Sequence, residues 1–141
     1  MEHHTIPQCV ELDGAPAIRQ VSAGSNHTAI LTAEGRVFMC GSNTEGQLGL
    51  GEDARSSVRF TELQFMETIA FVECGYYHTV FITTQGAVFV TGDNENGKLG
   101  IPNSATTIYV PEVIPLDEAI KSACCGASHT FLLSMDETKI L

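Results

Sequence analysis

The sequence predicts an all-β fold made of stacked propeller blades, on three observations. A unit of 51 residues recurs along the chain, and this length is typical of propeller blades. Within each unit, short apolar segments alternate with glycine-containing turns, and no segment sustains a helical period. The apolar segments carry apolar residues on both faces, which indicates strands that neighbouring sheets cover on both sides.

The repeat is found by aligning the sequence with itself, which gives a match without gaps at an offset of 51 residues. Residues 18–49 align with residues 69–100, and residues 120–134 continue the series 51 residues further on. A first turn repeats a glycine and a histidine, and a second turn repeats several glycines. The recurring residues are Gly24, His27, Gly41, Gly46, Gly49, Gly75, His78, Gly92, Gly97, Gly100, Gly126 and His129. The glycine before each histidine recurs while its neighbours vary, which predicts a positive φ or a β-bulge there.

Each repeat predicts three consecutive strands. In the first repeat they are expected near 18–23, 27–32 and 36–40, and the same strands recur 51 residues later. Gly35 and Gly86 follow the second strand and supply the backbone freedom that a tight hairpin turn needs. The spacing therefore predicts a meander of short antiparallel strands in each repeat.

A fourth strand is predicted in the segment before each unit, at 5–12, 58–65 and 109–116. Prolines lie in the first and last of these segments, at Pro7, Pro111 and Pro115. Proline cannot donate to a β-ladder, so these segments are expected at sheet edges. Four short strands in each unit correspond to one propeller blade.

The composition excludes several function classes. The chain has 141 residues, with 7 Lys and Arg against 17 Asp and Glu, and a formal net charge of −10. This charge repels phosphate backbones and anionic lipids, so neither nucleic acid nor a membrane is an expected partner. The sequence contains no run of about 18 apolar residues and no signal-peptide pattern. The sequence has five cysteines and no CxxC pair. This pattern indicates reduced thiols in place of a disulfide framework, and we therefore expect a cytoplasmic protein.

Three motifs in fixed order resemble the repeats of the regulator of chromosome condensation family. They are V-x-x-G-x-x-H-T at 21–28, G-x-V-F-x-x-G at 35–41 and G-x-L-G at 46–49. The resemblance extends from about Ile6 to Leu133 and implies a seven-bladed propeller. Seven such repeats need about 350 residues, so this chain is expected to supply a partial β-propeller of about two and a half blades.

The chain is expected to form one incomplete propeller domain, 1–141, with repeats at about 6–51, 52–102 and 103–141. The last repeat lacks its third strand and second turn, and Glu137 stands where the series has the hairpin glycine. A closed ring is not expected from one such chain. Exposed blade faces should promote self-association or capture of a partner. A fragment without autonomous function is an alternative.

Two segments look most like the propeller of the retinitis pigmentosa GTPase regulator. They are CGYYHTVFITTQG at 74–86 and ENGKLGIPN at 95–103. This narrower resemblance implies a protein-docking platform in the cilium or at the basal body. It also implies partners among small GTPases of the Arf-like or Rab type and their prenyl-binding carriers.

The recurring histidines and cysteines raise the question of a metal or catalytic site. Histidines that occur once per blade should lie about 10 Å apart, too far to share one zinc ion. We expect each histidine to order the adjacent blade through a hydrogen bond. Cys74 precedes His78 by four residues, but its counterparts Cys125 and Ala23 indicate packing. No catalytic residue, cofactor or metal is expected.

Tyr76 and Tyr77 are the candidate partner-binding residues. They replace small residues of the other two repeats within the Gly-x-x-His turn, so the fold does not require them. Aromatic residues of this kind serve as interface anchors, or they fill a wider gap between blades. We expect a non-enzymatic protein-binding module that resembles a small-GTPase regulator. Guanine-nucleotide exchange as part of a complete propeller is the alternative.

Overall fold

The computed structural model describes residues 5–14 and 16–141, and these residues form antiparallel sheets with one short 3₁₀ helix. The strands are β1 (Ile18–Ala23), β2 (His27–Thr32), β3 (Val37–Ser42), β4 (Ser56–Leu63), β5 (Ile69–Cys74), β6 (His78–Thr83), β7 (Val88–Asp93), β8 (Thr107–Val113), β9 (Ile120–Cys125) and β10 (Thr130–Ser134), and the 3₁₀ helix is Glu95–Gly97. The all-β partial propeller predicted from the sequence is confirmed.

The strands form three blades. The first blade has the strand order β1-β2-β3-β4, the second β5-β6-β7-β8, and the third contains only β9 and β10. The predicted strands of the first two repeats are confirmed to within two residues at each end. The fourth strand of each complete blade comes from the segment before the next repeat, and Pro111 lies in the edge strand β8 as predicted.

The strand predicted at 5–12 is wrong, because these residues form no strand. The equivalent segments pair with the third strand of the blade that precedes them in sequence, as β4 pairs with β3 and β8 with β7. Within the described residues no third strand precedes residues 5–12. A strand cannot form without a ladder partner, whatever its own pattern favours.

The core lies between blades. Ala29, Leu31 and Val37 of the first blade pack with Val72 and Phe81 of the second in one cluster. A second cluster joins the second and third blades through residues such as Val80, Ile82, Ile120 and Leu132. Every residue of β6 is buried, which confirms that this strand is covered on both faces. Within the described residues, no helix is long and apolar enough to cross a membrane.

The hairpin turns after β2 and β6 require a left-handed residue. Gly35 has φ +83° and Gly86 has φ +85°, as the sequence predicts. Glu137 occupies the same turn after β10 with φ +61°. Its side chain forms an ion pair with Lys121, and Asp136 Oδ1 accepts hydrogen bonds from Ser134 and Thr138.

The third blade has no third strand within the described residues, as the sequence predicts, but the backbone beyond the hairpin turn makes isolated contacts with β10. Beyond the Glu137 turn, the backbones of Leu132 and Leu141 exchange two hydrogen bonds of 2.9 Å. Ile140 also forms an isolated bridge with Leu133. The residues after the turn therefore begin to pair with β10, but one residue out of register with the β6–β7 pairing: Leu133 faces Ile140, whereas the equivalent Ile82 faces Val88.

Candidate functional site

The recurring histidines join consecutive blades. His27 Nε2 lies 2.8 Å from Thr79 Oγ1, and His78 Nε2 lies 2.9 Å from Thr130 Oγ1. Each threonine directly follows the histidine of its own blade, so the His78–Thr79 pair bonds to both neighbouring blades, through Thr79 to the first and through His78 to the third. This confirms the predicted hydrogen-bonding role. His129 is exposed, and no further blade covers it within the described residues.

The hydrogen bonds also fix the tautomer of His27. Thr79 Oγ1 donates to the Gln47 carbonyl oxygen at 2.7 Å, so it accepts from an N–H at His27 Nε2. His27 Nδ1 is then unprotonated, and it is buried without a partner in the described part of the chain. Burial lowers the pKa of His27 to about 4 and that of His78 to about 4. Both imidazoles are therefore neutral at pH 7.

The glycine before each histidine makes room for the ring. A Cβ on Gly75 would lie 2.1 Å from His78 Cε1, and a Cβ on Gly126 would lie 2.4 Å from His129 Cε1. Gly24 would meet both the His27 ring and the Gly75 carbonyl oxygen, at 2.4 and 2.2 Å. The predicted positive φ is wrong at all three positions, and the register shifts of these strand pairs lie elsewhere, so the alternative of a bulge is wrong as well. Contact with the imidazole, not backbone conformation, accounts for glycine there.

The glycines of the second turn do adopt positive φ; they are Gly41, Gly46, Gly49, Gly92, Gly97 and Gly100. The turn is held by an asparagine that we did not single out as functional. Asn43 Nδ2 donates to the Gly51 carbonyl oxygen at 2.9 Å, and its Oδ1 accepts from Leu48 N–H at 2.9 Å. Asn94 makes a similar set of bonds: its Nδ2 donates to the Asn103 carbonyl oxygen at 3.0 Å and its Oδ1 accepts from Leu99 N–H at 3.3 Å. The recurrence of asparagine at this spacing is the sequence signal for that role.

Where the first and second blades meet, polar side chains of β1 form hydrogen bonds with the backbone of β5. We call such a contact between two blades a seam. The Gln20 side-chain amide donates to the Val72 carbonyl oxygen at 2.6 Å and accepts from Val72 N–H at 3.0 Å. Ser22 Oγ accepts from Cys74 N–H at 2.9 Å. At the second seam, between β5 and β9, the repeat places Phe71 and Glu73 at the positions of Gln20 and Ser22. The two seams are therefore chemically different.

An open cleft of about 480 Å³ lies where β1, β5 and β9 end. Its walls include the three first-turn glycines and small residues such as Ala23 and Ala127. Glu73 is the charged residue of the lining, and Tyr76 lies at its rim. Burial raises the pKa of Glu73.

The two candidate tyrosines extend into solvent. The side chains of Tyr76 and Tyr77 are 56% and 38% exposed, and their rings meet edge to face with centroids 6.2 Å apart. Their backbones are fixed, because the Tyr76 carbonyl accepts from Ser25 N–H at 3.3 Å and the Tyr77 carbonyl from Asp93 N–H at 2.9 Å. A rigid turn thus presents an exposed aromatic pair beside the cleft.

The thiols near this cleft are poor nucleophiles. Burial raises the pKa of Cys74 and of Cys125 to about 12, and the thiolate is the reactive form. His78 holds Thr130 in the seam instead of activating Cys74. These groups pack and orient the blades, as the comparison of repeats indicates.

Blades joined through a Gly-x-x-His-Thr turn, of which the two complete ones also carry an asparagine-held glycine turn, define a β-propeller repeat protein. The chain belongs to the regulator of chromosome condensation (RCC1) repeat family. One model of this repeat matches residues 34–82 and 85–133, and a second matches residues 18–47 and 69–98.

The curated relatives are much longer than this chain. The secretion-regulating guanine nucleotide exchange factor of Bos taurus is 33% identical over 124 residues, which cover 86% of this chain and 26% of the relative. Protein RCC2 of Mus musculus is 34% identical over 120 residues, 82% of this chain and 23% of the relative. The chain thus spans about a quarter of the length of these relatives.

The same fold occurs in Prp20p from Saccharomyces cerevisiae, with a TM-score of 0.82 at 23% identity. The match covers 91% of this chain and 34% of the Prp20p chain. The structure of Prp20p was described together with its binding to Gsp1p and histones. The narrower resemblance to the retinitis pigmentosa GTPase regulator stays a prediction, as do the proposed repeat boundaries.

Proposed function

We propose that this chain is a protein-docking module of a small-GTPase regulator. The observation that carries the proposal is the exposed Tyr76–Tyr77 pair on a fixed turn beside the cleft. Aromatic residues dominate the binding energy of protein interfaces, and a rigid backbone lowers the entropy lost on binding. The bovine relative is named as a guanine nucleotide exchange factor, and this name supports small GTPases as the class of partner.

The proposed role is binding and not covalent catalysis. The cysteines near the cleft have raised pKa values, and His27 and His78 are committed to bonds between blades. The tyrosines are the groups free to engage a partner. The proposal of binding without covalent catalysis applies to the blades of this chain and not to other domains that a relative carries.

The test measures binding to a panel of purified small GTPases, each in nucleotide-free, GDP-bound and GTP-bound form. The wild-type chain should bind at least one member, and Tyr76→Ala combined with Tyr77→Ala should weaken that binding at least about thirtyfold, the threshold of a strong interface residue. Met66→Ala is the control, since Met66 is fully exposed elsewhere. Equal binding by the tyrosine variant and wild type would overturn the assignment.

Guanine-nucleotide exchange is a second candidate, favoured by the name of the bovine relative. Exchange requires a surface that stabilises the nucleotide-free GTPase, and no covalent step. Release of a fluorescent guanine nucleotide in the presence of the chain measures this activity. Binding without faster release would assign docking alone.

A cytoplasmic location in the cilium or at the basal body is part of the proposal, as is a prenyl-binding carrier among the partners. The narrower resemblance in residues 74–86 and 95–103 is its support. Imaging of the tagged chain in ciliated cells tests the location. Adding a prenyl-binding carrier to the binding panel tests the partner.

A further inference from the structure

Glu73 is an ionisable group whose place in the cleft the packing of the blades does not explain. The repeat aligns it with Ser22, which bonds to Cys74 N–H of the next blade. At Glu73 no hydrogen-bond donor or cation offsets the effect of burial within the described residues. Glu73 is half-buried, and a carboxylate that loses part of its hydration without gaining a partner is unfavourable, so a ligand that supplies a partner would be favoured there.

The surroundings of Glu73 favour a cationic ligand. The carboxylate lines a cleft of about 480 Å³, a volume within the range of about 300 to 1,000 Å³ that is common for ligand sites. The remaining lining consists of neutral residues, many without bulky side chains. The Tyr76 ring at the rim can face a cation or cover an alkyl chain. The chain's net charge of −10 adds a long-range attraction for cations.

A metal ion fits this cleft less well than an organic cation. Calcium takes six to eight oxygen ligands, and zinc takes about four ligands from His, Cys or carboxylate groups. The described residues contain no cluster of three or more His, Cys, Asp or Glu arranged for a metal. One carboxylate beside an aromatic ring instead matches an ammonium or guanidinium group on an apolar stem.

We propose that the cleft binds a lysine or arginine side chain of a partner protein, with the Glu73 carboxylate as counter-ion and the Tyr76 ring against the alkyl stem. This inference rests on the proposed docking function and specifies the chemistry of the partner. The basic side chain enters between the ends of β5 and β9. Tyr77 contacts the partner outside the cleft.

The probes are three capped tripeptides, Gly-Lys-Gly, Gly-Arg-Gly and Gly-Gln-Gly, titrated into the isotope-labelled full chain. Amide chemical shifts at residues 73–76 and 125–127 should move and saturate with the lysine or the arginine peptide, and stay unchanged with the glutamine peptide. Comparing the two basic peptides distinguishes ammonium from guanidinium recognition. No saturable shift with either basic peptide would overturn the proposal.

Two variants identify the groups responsible. Glu73→Gln keeps the size of the side chain and should weaken binding at least about tenfold, as expected for a hydrogen bond to a charged group. Glu95→Gln is its control, because it removes the same charge from an exposed position. Tyr76→Ser should also weaken binding, whereas Tyr76→Phe should not. Since Tyr76 is exposed, its substitution should not disturb packing, and the two Tyr76 variants still test the proposal if Glu73→Gln perturbs the fold. Equal loss in Glu73→Gln and Glu95→Gln would assign the effect to net charge and overturn the proposal.

The outcomes separate this inference from the proposed function. Peptide binding that depends on Glu73, with no binding to the GTPase panel, would keep the cleft assignment and reject the partner class. Binding to a GTPase that depends on the tyrosines, with no peptide shift, would keep the docking function and reject the cleft assignment.

Discussion

Gly75 lacks a side chain because the His78 ring occupies the space that its Cβ would need, with Cε1 at 2.1 Å. We expect Gly75→Ala to lower the free energy of unfolding by about 1 to 3 kcal/mol, the usual cost of overpacking. Gly126→Ala should cost less than about 0.5 kcal/mol, because the exposed His129 ring can turn away. Denaturant unfolding of both variants checks the difference.

A double-mutant cycle isolates the cause. His78→Ala removes the ring and should reduce the cost of Gly75→Ala, because the three closest atoms to that Cβ all belong to the ring. His27→Ala should not rescue Gly24→Ala, since the Gly75 carbonyl oxygen remains at 2.2 Å. Additive costs in the Gly75–His78 cycle would contradict the proposed contact.

His27 and His78 make stability dependent on pH. Burial lowers the pKa of each from 6.5 to about 4, so between these values the unfolded chain binds more protons than the folded chain. The free energy of unfolding should therefore fall as the pH drops from 6.5 to 4, by up to about 3 kcal/mol for each histidine at the acid limit.

The pH effect is measured against a variant that keeps the hydrogen bonds. His27→Gln with His78→Gln retains a donor near Thr79 and Thr130 but removes both titrations. Carboxylates that interact with neither histidine cancel in the difference, whereas Asp93 interacts with His78 and adds a small uncancelled contribution. The variant should lose less stability than wild type between pH 6.5 and 4, and parallel curves would show that the histidines do not cause the loss.

Among the elements, the hairpin after β10 carries local strain. Glu137 has φ +61°, while its counterparts Gly35 and Gly86 have the same sign of φ without a side chain. A left-handed conformation costs an L-residue about 1 to 2 kcal/mol, so Glu137→Gly should raise the free energy of unfolding by about 1 kcal/mol. Glu137→Ala is the control, because it loses the Lys121 ion pair but keeps the Cβ. Equal effects of Gly and Ala would refute the strain argument.

The sequence predicts those elements whose determinants recur in every copy. The strands of the first two blades, the hairpin glycines and the role of the histidines between blades were all accessible from the spacing of 51, but the threonine partners of those histidines were not. The strand expected at 5–12 failed because strand formation depends on a partner outside the segment itself. The positive φ or β-bulge expected at Gly75 was wrong, because recurrence shows that a side chain is excluded but not which atom excludes it.

The candidate site was only partly predictable. Tyr76 and Tyr77 were found because they differ from the other repeats. Glu73 differs from Ser22 in the same way, yet its significance depends on the cleft and on the missing partner. Both properties arise from how β1, β5 and β9 meet in space, which a pattern within one strand does not report.

For the whole molecule, the uncovered face of the third blade is the feature that we expect to determine whether the isolated chain self-associates in solution. Phe131 is 53% exposed, whereas Ala29 and Val80 at the same repeat position are fully buried by the next blade. His129 lies edge to face with Phe131, at 5.5 Å between centroids, and presents the imidazole that bonds to a threonine where the other blades meet. Thr28, at the opposite end, is the counterpart of those threonines.

The two ends are therefore complementary, and we expect the isolated chain to associate with further copies of itself at micromolar concentration. Charge repulsion opposes this association, but salt screens it beyond about 8 Å at physiological ionic strength. Phe131→Asp should shift the sedimentation profile toward a 15.1 kDa monomer, because it places a charge on the face that the neighbour would cover. Met66→Asp, which adds the same charge at a fully exposed position, should leave the profile unchanged. A wild-type chain that sediments as a monomer and unfolds cooperatively would mean that this face is stable in water and that head-to-tail contact is not needed.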